Sequence, residues 1–396
     1  MDLAGLSALL TPGGWALLEA LPPYREDAAL SLAERLKGDG VDPALVAAAL
    51  TQSRLRSRAR TKFGAFADGM LFTPEGLEQA TRLEVAARHA QRFAAAGVAR
   101  VADLGCGIGG DAMAMAALDL DVLAVERDEL TAAVATVNLR HWPDAEVRCE
   151  DAAETDLSGV GGAFLDPARR TASGRRVLDP WQASPSWDVV LAVAEHLPAT
   201  GVKVAPGIKH SMLPAGTETQ WVSVDGDVVE AGVWFGPLAR PGVQRSALVL
   251  RDGQATGVDD VGLVPPAVGP VGSYLYEPDG AVVRAGLVGQ VAAEVGGRLV
   301  DRSIAFVTSD QLVLTPLARA FVVEEQRPFG LKSLRTRLRD RGVGRVEIIK
   351  RGSAVDVEQL RRQLRLAGPN EATVVLTRVA GEQSVLLCRP VTGRAV

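Results

Sequence analysis

The sequence contains few cysteines, histidines and aromatic residues. Its three cysteines lie far apart among 396 residues, none in a CxxC spacing, and its four histidines form no close pair. This pattern argues against a disulfide framework and against a zinc site, so we expect no bound metal. So few cysteines, without a pairing pattern, fit a protein of the reducing cytosol.

Long apolar runs and a basic overall charge are also missing. No stretch is long and apolar enough to span a bilayer, and the N-terminal Met-Asp-Leu lacks the basic and apolar regions of a signal peptide. We therefore expect a soluble, cytoplasmic protein without membrane contact. The formal net charge of −5 argues against a chain that is basic throughout. The length predicts more than one domain.

The clearest local pattern is a glycine-rich turn at residues 101–111, Val-Ala-Asp-Leu-Gly-Cys-Gly-Ile-Gly-Gly-Asp. An apolar strand leads into the turn, and helical sequence follows it at once. Gly105, Gly107 and Gly110 have the G-x-G-x-x-G spacing, so a dinucleotide site must be considered. However, the carboxylate of Asp103 would repel a pyrophosphate, whereas it would suit an ammonium group.

Strands and helices alternate after this turn, and an acidic residue ends or follows each of the next three strands. Glu126 ends the second predicted strand, Asp151 follows the third and Asp166 follows the fourth. Ligands of open α/β sheets bind at the carboxyl ends of the strands, so we expect these acids and Asp103 to line one site. The alternation predicts a mostly parallel sheet with an antiparallel edge, and Asp225–Gly226 predicts a hairpin turn.

Other segments predict the elements around this sheet. Asp42 and Pro43 form a suitable cap and first residue of a helix, and a second helix is predicted over residues 74–96. Residues 252–272 are rich in Gly, Pro and Asp and predict a linker. Residues 283–295 predict a helix in a small α+β stretch.

Positive charge is concentrated in two segments. Residues 54–62, Arg-Leu-Arg-Ser-Arg-Ala-Arg-Thr-Lys, carry five basic and no acidic residues, and residues 327–366 carry twelve basic and four acidic residues. The first segment is either a solvated helix surface or a phosphate contact through Arg58, Arg60 and Lys62. The second segment lies in a compact β-α-β-α-β-β pattern that ends the chain.

The segment Asp103-Leu-Gly-Cys-Gly-Ile-Gly109 resembles the first motif of class I S-adenosylmethionine (SAM)-dependent methyltransferases. The resemblance implies that Glu126 binds the ribose of SAM and that Asp151 binds the adenine amino group. Asp166-Pro167-Ala168-Arg169 stands at the place of the family's catalytic motif. The implied cofactor-binding residues are Asp103, Gly105, Gly107, Gly109, Glu126 and Asp151, and the implied catalytic residues are Asp166, Pro167 and Arg169.

The motif at Asp166 is similar to two methyltransferase motifs with different chemistries. One is the Asp-Pro-Pro-Tyr motif of amino-group methyltransferases, in which an aromatic residue stacks on the base at the position that Arg169 occupies here. The other belongs to uracil-5 RNA methyltransferases, which need a nucleophilic cysteine where residues 203–210 of this chain have none. Arg169 and Arg170 could bind substrate phosphate or pair with Asp166 or Glu150. The accepting atom, nitrogen, carbon or oxygen, stays open.

The order of segments is similar to that of a bacterial family of class I methyltransferases with a C-terminal THUMP-like domain. The resemblance rests on residues 62–64, 72–79, 166–170 and the basic tail. It implies an α/β fold: a Rossmann-like methyltransferase sheet, an N-terminal helical region and a C-terminal α+β THUMP-like domain. The expected domains are 1–72, the helical region; 73–252, the SAM-binding domain; 253–319, a linker and small α+β segment; and 320–396, the THUMP-like domain.

THUMP domains bind RNA, so the resemblance implies a SAM-dependent methyltransferase that acts on a base of structured RNA, such as tRNA or rRNA. The two basic segments would contact phosphates, and the aromatic content of 5% suits RNA read by shape better than single strands that need stacking platforms. Two alternatives stay open: a methyltransferase for a small molecule or protein, and a non-catalytic RNA-binding protein with a vestigial SAM site. A dehydrogenase is least favoured. The sequence does not indicate an oligomeric state.

Overall fold

The computed structural model describes residues 2–167, 185–262 and 265–391. The chain forms two compact units, one of Met1–Thr217 with Val233–Arg240 and the other of Glu218–Gly232 with Pro241–Val396. Within the described ranges, no helix has both the length and the apolar character needed to cross a membrane.

The first unit begins with four helices, three of which have a capping side chain at their start. Asp2, Thr11 and Asp42 each accept hydrogen bonds from backbone N–H groups of the following first turn. The helix predicted to begin at Pro43 after Asp42 is confirmed. The four helices are α1 (Leu3–Leu9), α2 (Pro12–Ala20), α3 (Ala29–Gly38) and α4 (Pro43–Phe63).

The single helix predicted over residues 74–96 is wrong, because two helices cover this segment. They are α5 (Pro74–Gln79) and α6 (Leu83–Ala95). Ala80 has an extended ψ of 138° and ends the first helix. The ammonium group of Lys62 on α4 accounts for the break, since it binds the carbonyl oxygens of Leu77, Glu78 and Ala80 at 2.7–2.9 Å. Such a long-range contact leaves no signal in the local pattern.

Five parallel strands follow in the first unit, in the spatial order β3-β2-β1-β4-β5. Within the described ranges, three helices lie between them along the chain. The predicted parallel α/β sheet is therefore confirmed. The strands are β1 (Arg100–Leu104), β2 (Asp121–Val125), β3 (Ala145–Arg148), β4 (Gly162–Leu165) and β5 (Ala199–Val204), and the helices are α7 (Gly110–Ala116), α8 (Glu129–Asn138) and α9 (Trp187–His196).

The register of these strands brings their carboxyl ends together. Leu104 on β1 pairs with Val125 on β2 and with Leu165 on β4, and Leu165 in turn pairs with Val202 on β5. The next residue along each strand therefore lies at the same edge of the sheet. These residues are Gly105, Glu126, Asp166 and Lys203.

The second unit begins with strands that the sequence predicted in part. Asp225 and Gly226, with φ of 51° and 91°, form the expected turn between β6 and β7. The linker predicted over residues 252–272 is wrong at its start, because residues 254–259 form a strand that pairs antiparallel with β8. The strands are β6 (Glu218–Val224), β7 (Asp227–Trp234), β8 (Arg245–Arg251) and β9 (Gln254–Asp259); β7 runs into the first unit at Val233.

The rest of the second unit is a seven-stranded sheet in the order β11-β12-β10-β13-β16-β15-β14. The helix predicted over 283–295 is two helices, separated at the left-handed Gly286. The β-α-β-α-β-β pattern of the tail is confirmed. The elements are β10 (Tyr274–Pro278), α10 (Gly280–Ala285), α11 (Val288–Glu294), β11 (Arg298–Asp301), β12 (Ile304–Ser309), β13 (Ala318–Pro328), α12 (Leu331–Asp340), β14 (Val343–Lys350), α13 (Val357–Leu364), β15 (Asn370–Val379) and β16 (Glu382–Pro390).

Helices α12 and α13 are short and strongly amphipathic. Each buries two leucines four residues apart, Leu334 and Leu338 on α12 and Leu360 and Leu364 on α13. These leucines share one hydrophobic core with residues of β14, β15 and β16. Only the apolar stripe of each helix packs against the sheet, so the basic residues lie on the remaining faces of the two helices.

Candidate active site

A cavity of about 990 Å³ lies at the carboxyl ends of the strands of the first unit. Its walls come from the glycine-rich turn after β1, from the residues that follow β2, β3 and β4, and from α5 with the loop after it. Six of the residues predicted for a site line it together: Asp103, Gly105, Gly107, Glu126, Asp151 and Asp166. Gly109 lies in the same turn, and Pro167 is buried directly after Asp166.

The turn after β1 has a backbone that favours glycine. Gly105 and Gly109 have φ of 84° and 83°, in the left-handed region. The Gly105 N–H and the Cys106 N–H both donate to the Val125 carbonyl at 2.9 Å, which ties the turn to the end of β2. A Cβ atom on Gly105 would lie 3.4 Å from the Asp166 carbonyl oxygen. The glycines thus let the turn pass close to the neighbouring strand ends.

Asp103 on β1 is a buried carboxylate with an unused acceptor. It is 1% exposed, and its Oδ2 atom has no hydrogen-bond partner among the described residues. Burial raises the pKa of Asp103 well above its usual value, and the nearby carboxylates of Asp111 and Asp166 raise this pKa further. An ammonium group in the cavity would use the free oxygen and relieve this repulsion.

Glu126, after β2, is held by two backbone donors. Its Oε2 accepts the Gly107 N–H at 3.1 Å, and its Oε1 accepts the Asp128 N–H at 2.9 Å. These bonds fix the carboxylate at the cavity wall while leaving further lone pairs on each oxygen. The glycine turn and the acid after β2 therefore form one unit.

Two neighbouring acids follow β3. Asp151 is exposed, and its Oδ1 accepts the Ala153 N–H at 2.9 Å. Glu150 also lines the cavity. Its Oε1 is buried and has no hydrogen-bond partner in the described ranges, with Arg148 Nη1 at 4.0 Å. The wall after β3 thus offers two carboxylates, of which the sequence pattern predicted Asp151.

Lys203 on β5 is a charged residue at the site that was not predicted from the sequence to be functional. It is 3% exposed. Its Nζ donates to Thr81 Oγ1 at 2.8 Å and forms an ion pair with Asp166. The strand register explains the pair, since both residues come one position after the paired Leu165 and Val202. The sequence feature that could have identified Lys203 as a site residue is a lysine within an apolar strand.

Behind the turn lies a buried hydrogen-bonded pair of side chains from two helices. His89 Nδ1 on α6 and Asp111 Oδ1 on α7 are 2.8 Å apart, and both residues are buried. Hydrogen bonds from His89 and from Thr81 lower the pKa of Asp111 against the effect of its burial. The His89 ring packs on Phe164, with ring centroids 4.8 Å apart. Thr81 therefore connects the His89–Asp111 pair with Lys203.

The basic segment at residues 54–62 is not one continuous charged surface. Arg58 is exposed, and Arg60 makes a bidentate ion pair with Asp68 at 2.9 Å. Arg56 is buried and binds the Met70 carbonyl at 2.8 Å. Lys62 uses its three N–H donors on backbone carbonyls, and burial lowers its pKa to about 8. Arg169 and Arg170, also predicted for the site, lie outside the described residues.

In the described part of the chain, no cluster of three or more His, Cys, Asp or Glu residues could hold a metal ion. Cys106 lies in the glycine-rich turn, where burial and the neighbouring acids raise the pKa of its thiol well above the usual value. Among the described residues, the chemistry-bearing side chains of the cavity are mainly carboxylates, and the buried Lys203 pairs with one of them, Asp166.

Comparisons with known proteins agree with this geometry. Residues 318–390 match the THUMP domain-like family, and residues 2–59 match a domain of unknown function, DUF8688. Uncharacterised SAM-dependent methyltransferases from two strains of Mycobacterium tuberculosis are 35% identical over 350 residues, which cover 85% of this chain and 95% of each relative. The crystal structure of a candidate methyltransferase from Porphyromonas gingivalis W83 has a TM-score of 0.71 at 21% identity and covers 93% of this chain and 100% of that chain. The chain belongs to the SAM-dependent methyltransferases, with the class I fold and a C-terminal THUMP-like domain.

Proposed function

We propose that this methyltransferase acts on a base of structured RNA, such as tRNA or rRNA, and that the THUMP-like domain holds the RNA. The observation that carries the proposal is a group of cations on α12, on α13 and directly after α13 that make no ion pair with any described residue. Most other arginines of this domain are neutralised by acids. The unpaired group is therefore a surface on which phosphates can replace water without displacing a carboxylate.

The basic side chains of this domain fall into two sets, those with a carboxylate nearby and those without one. Among the described residues, no carboxylate lies within 4.0 Å of five basic side chains, which we call the free basic group: Lys332, Arg335, Arg339, Arg362 and Arg365. The paired set includes Arg327 and Arg337 with Glu325, Arg341 with Glu324 and Glu325, Arg345 with Glu371 and Arg361 with Glu358.

The free basic group is contiguous. Lys332, Arg335 and Arg339 are spaced three and four residues apart, which places them along one face of α12. The Arg339 Nη2 donates to the Arg365 carbonyl at 3.1 Å, so the ends of α12 and α13 lie side by side. A row of cations without acids favours a polyanion, and phosphates spaced along an RNA backbone match it.

We further propose roles for the cavity residues toward SAM. The unused Oδ2 of Asp103 fits the cofactor's amine, because a cation would satisfy a buried acceptor there. The glycine-rich turn would let the backbone approach the cofactor, Glu126 would bind the ribose and Asp151 the adenine. When bound, SAM supplies a methyl group that is already activated, so the chain's part is positioning.

The acceptor would lie next to Asp166, at the edge between β4 and β5. The Asp166 carboxylate would orient the acceptor and take up the proton that a nitrogen or oxygen acceptor releases on methylation. Pro167 and the predicted Arg169 belong to the same motif. We also propose that the enzyme works in the cytoplasm.

The experiment that identifies the substrate compares modified nucleosides in RNA from cells with and without this protein by mass spectrometry. One methylated nucleoside should be missing without the protein and should return when the wild-type chain is supplied. Complementation with Asp166→Ala should not restore it. If no nucleoside changes while purified protein methylates a small molecule or a protein, the RNA proposal is wrong.

A binding experiment tests the free basic group directly. A triple variant, Lys332→Ala with Arg335→Ala and Arg339→Ala, should weaken binding of a folded tRNA. The magnitude of the slope of log K against log salt should fall by up to about 2 to 3, since each lost phosphate contact on a duplex reduces this slope by roughly 0.9. The matched control is Arg327→Ala, Arg345→Ala and Arg361→Ala, which removes three paired cations. Equal loss of binding in both triple variants would contradict the assignment of the surface.

A further inference from the structure

Lys203 and Thr81 form a buried polar connection behind Asp166 that the proposed cofactor contacts do not require. Lys203 lies on β5, in a strand whose six residues are all buried. A buried ammonium is costly unless it is paired and hydrogen-bonded. Here both conditions are met, by the Asp166 carboxylate and by the Thr81 hydroxyl at 2.8 Å.

We propose that Lys203 is a positioning residue for methyl transfer, which keeps the Asp166 carboxylate ionised and fixes its orientation toward the acceptor. This inference rests on the proposed role of Asp166. It assigns a role to Lys203, a residue that contacts neither the cofactor nor the acceptor. Asp166 is partly exposed to the cavity, whereas Lys203 is not, so Lys203 acts on the acceptor only through Asp166.

The surroundings explain why Asp166 needs this support. Asp103 on β1 lies close enough to Asp166 for each charge to disfavour the other, and Asp111 on α7 adds to the negative charge around Asp103. In the described part of the chain, two cations near Asp166 are Lys203 and, from α4, Lys62, whose ammonium is shared among three carbonyls. Lys203 is therefore the cation that directly compensates Asp166 within the described residues.

Thr81 makes the position of Lys203 specific. It lies in the loop between α5 and α6, directly after the carbonyl groups that Lys62 binds. Its hydroxyl accepts from Lys203 and also bonds to Asp111, which pairs with His89. The ammonium is thus held on two sides, by Asp166 toward the cavity and by Thr81 toward the helices.

The test measures Asp166 without needing an acceptor. Protein labelled with ¹³C at aspartate carboxyl carbons is titrated by NMR, with the Asp166 resonance assigned from Asp166→Asn. An opposite charge in contact lowers a carboxyl pKa by about 1 to 3 units, so Lys203→Met should raise the pKa of Asp166 by that amount. Lys203→Arg should keep it near the wild-type value. An Asp166 resonance that titrates at the same pH in wild type and Lys203→Met overturns the proposal.

If Lys203→Met does not fold, Thr81→Val decides, because it frees Lys203 on one side while keeping its charge. A smaller upward shift of the Asp166 pKa supports the proposal, and no shift overturns it. With the RNA acceptor in hand, Lys203→Met should lower kcat about 10- to 100-fold at neutral pH, move the acidic limb of the pH profile upward and leave KM for SAM within a few-fold. If wild-type protein methylates no RNA, the RNA proposal fails, while the titration still decides the role of Lys203.

Discussion

Replacing Asp103 with asparagine should weaken cofactor binding while leaving the fold as stable as before or more stable. The two effects have opposite signs because Asp103 is buried with an oxygen that no described residue binds. Asparagine keeps the shape of the side chain and removes its charge. Weaker binding without loss of stability is expected when a catalytic or binding residue destabilises the fold, whereas replacing a structural residue should lower the stability of the protein.

The size of the binding effect follows from the bond that is lost. A hydrogen bond to a charged group contributes about 1.5 to 3 kcal/mol, so Asp103→Asn should weaken binding of S-adenosylhomocysteine by roughly 10- to 150-fold, at about 1.4 kcal/mol per tenfold. Isothermal titration calorimetry measures this directly. Asp121→Asn, an exposed change at the amino end of β2, is the matched control and should bind as wild type does.

The stability effect has a defined pH dependence. The folded-state pKa of Asp103 is raised above its unfolded value, so its contribution is most favourable at low pH and is lost as pH rises through the folded-state pKa. The melting temperature of Asp103→Asn relative to wild type should therefore increase with pH. Cofactor binding should release a proton in the wild type, because the amine favours the ionised carboxylate, and calorimetry in buffers of different ionisation enthalpy detects that release.

Two results would refute this reasoning. If Asp103→Asn binds S-adenosylhomocysteine as tightly as wild type, Asp103 does not hold the amine. If the variant instead loses both binding and melting temperature at every pH, the carboxylate is a structural group, and the raised pKa does not reflect an unpaired buried charge.

Two further predictions concern the loop and helix that form one wall of the cavity. Lys62→Met should speed amide hydrogen exchange at residues 77–80 and weaken S-adenosylhomocysteine binding, because three carbonyls lose their donor, whereas Lys62→Arg should retain more protection at pH 9. In wild type the exchange rate, corrected for its intrinsic pH dependence, should rise as pH passes through about 8, where Lys62 loses its charge. Unchanged exchange in Lys62→Met would contradict this role. Gly76→Ala should lower the free energy of unfolding by about 1 to 3 kcal/mol in urea, because the new Cβ would lie 2.4 Å from Ile108 Cγ2 and 2.6 Å from Thr73 Oγ1. Gly13→Ala on α2, which has open space around it, should leave the free energy of unfolding unchanged. Equal stability of both variants would show that the cavity wall accommodates the methyl group without cost.

Local sequence patterns were sufficient for the elements whose causes are local. The alternation of strands and helices, the cap at Asp42 and the turn at Asp225–Gly226 depend on residues a few positions apart. Features whose causes are distant were missed or wrong. The break between α5 and α6 depends on Lys62, and the strand at residues 254–259 exists through its pairing with β8.

The same division holds for the cavity. The spacing of acids after successive strands predicted that Asp103, Glu126, Asp151 and Asp166 share one edge, because parallel strands point their carboxyl ends the same way. Their roles toward a cofactor stay predictions. The sequence could not show which charges are compensated. The sequence predicted phosphate contacts through Arg58, Arg60 and Lys62 alike, although the structure pairs Arg60 with Asp68 and engages Lys62 with carbonyls.

The sequence by itself thus determined the class I sheet, the glycine-rich turn and the order of acids, because each depends on spacing along the chain. The tertiary structure alone decided that Lys203 meets Asp166 and that Thr81 joins Lys203 to Asp111 and His89. These partners come from residues 81, 89, 111, 166 and 203. Only the packing of strands and helices brings these side chains within hydrogen-bond reach, because they lie far apart along the chain.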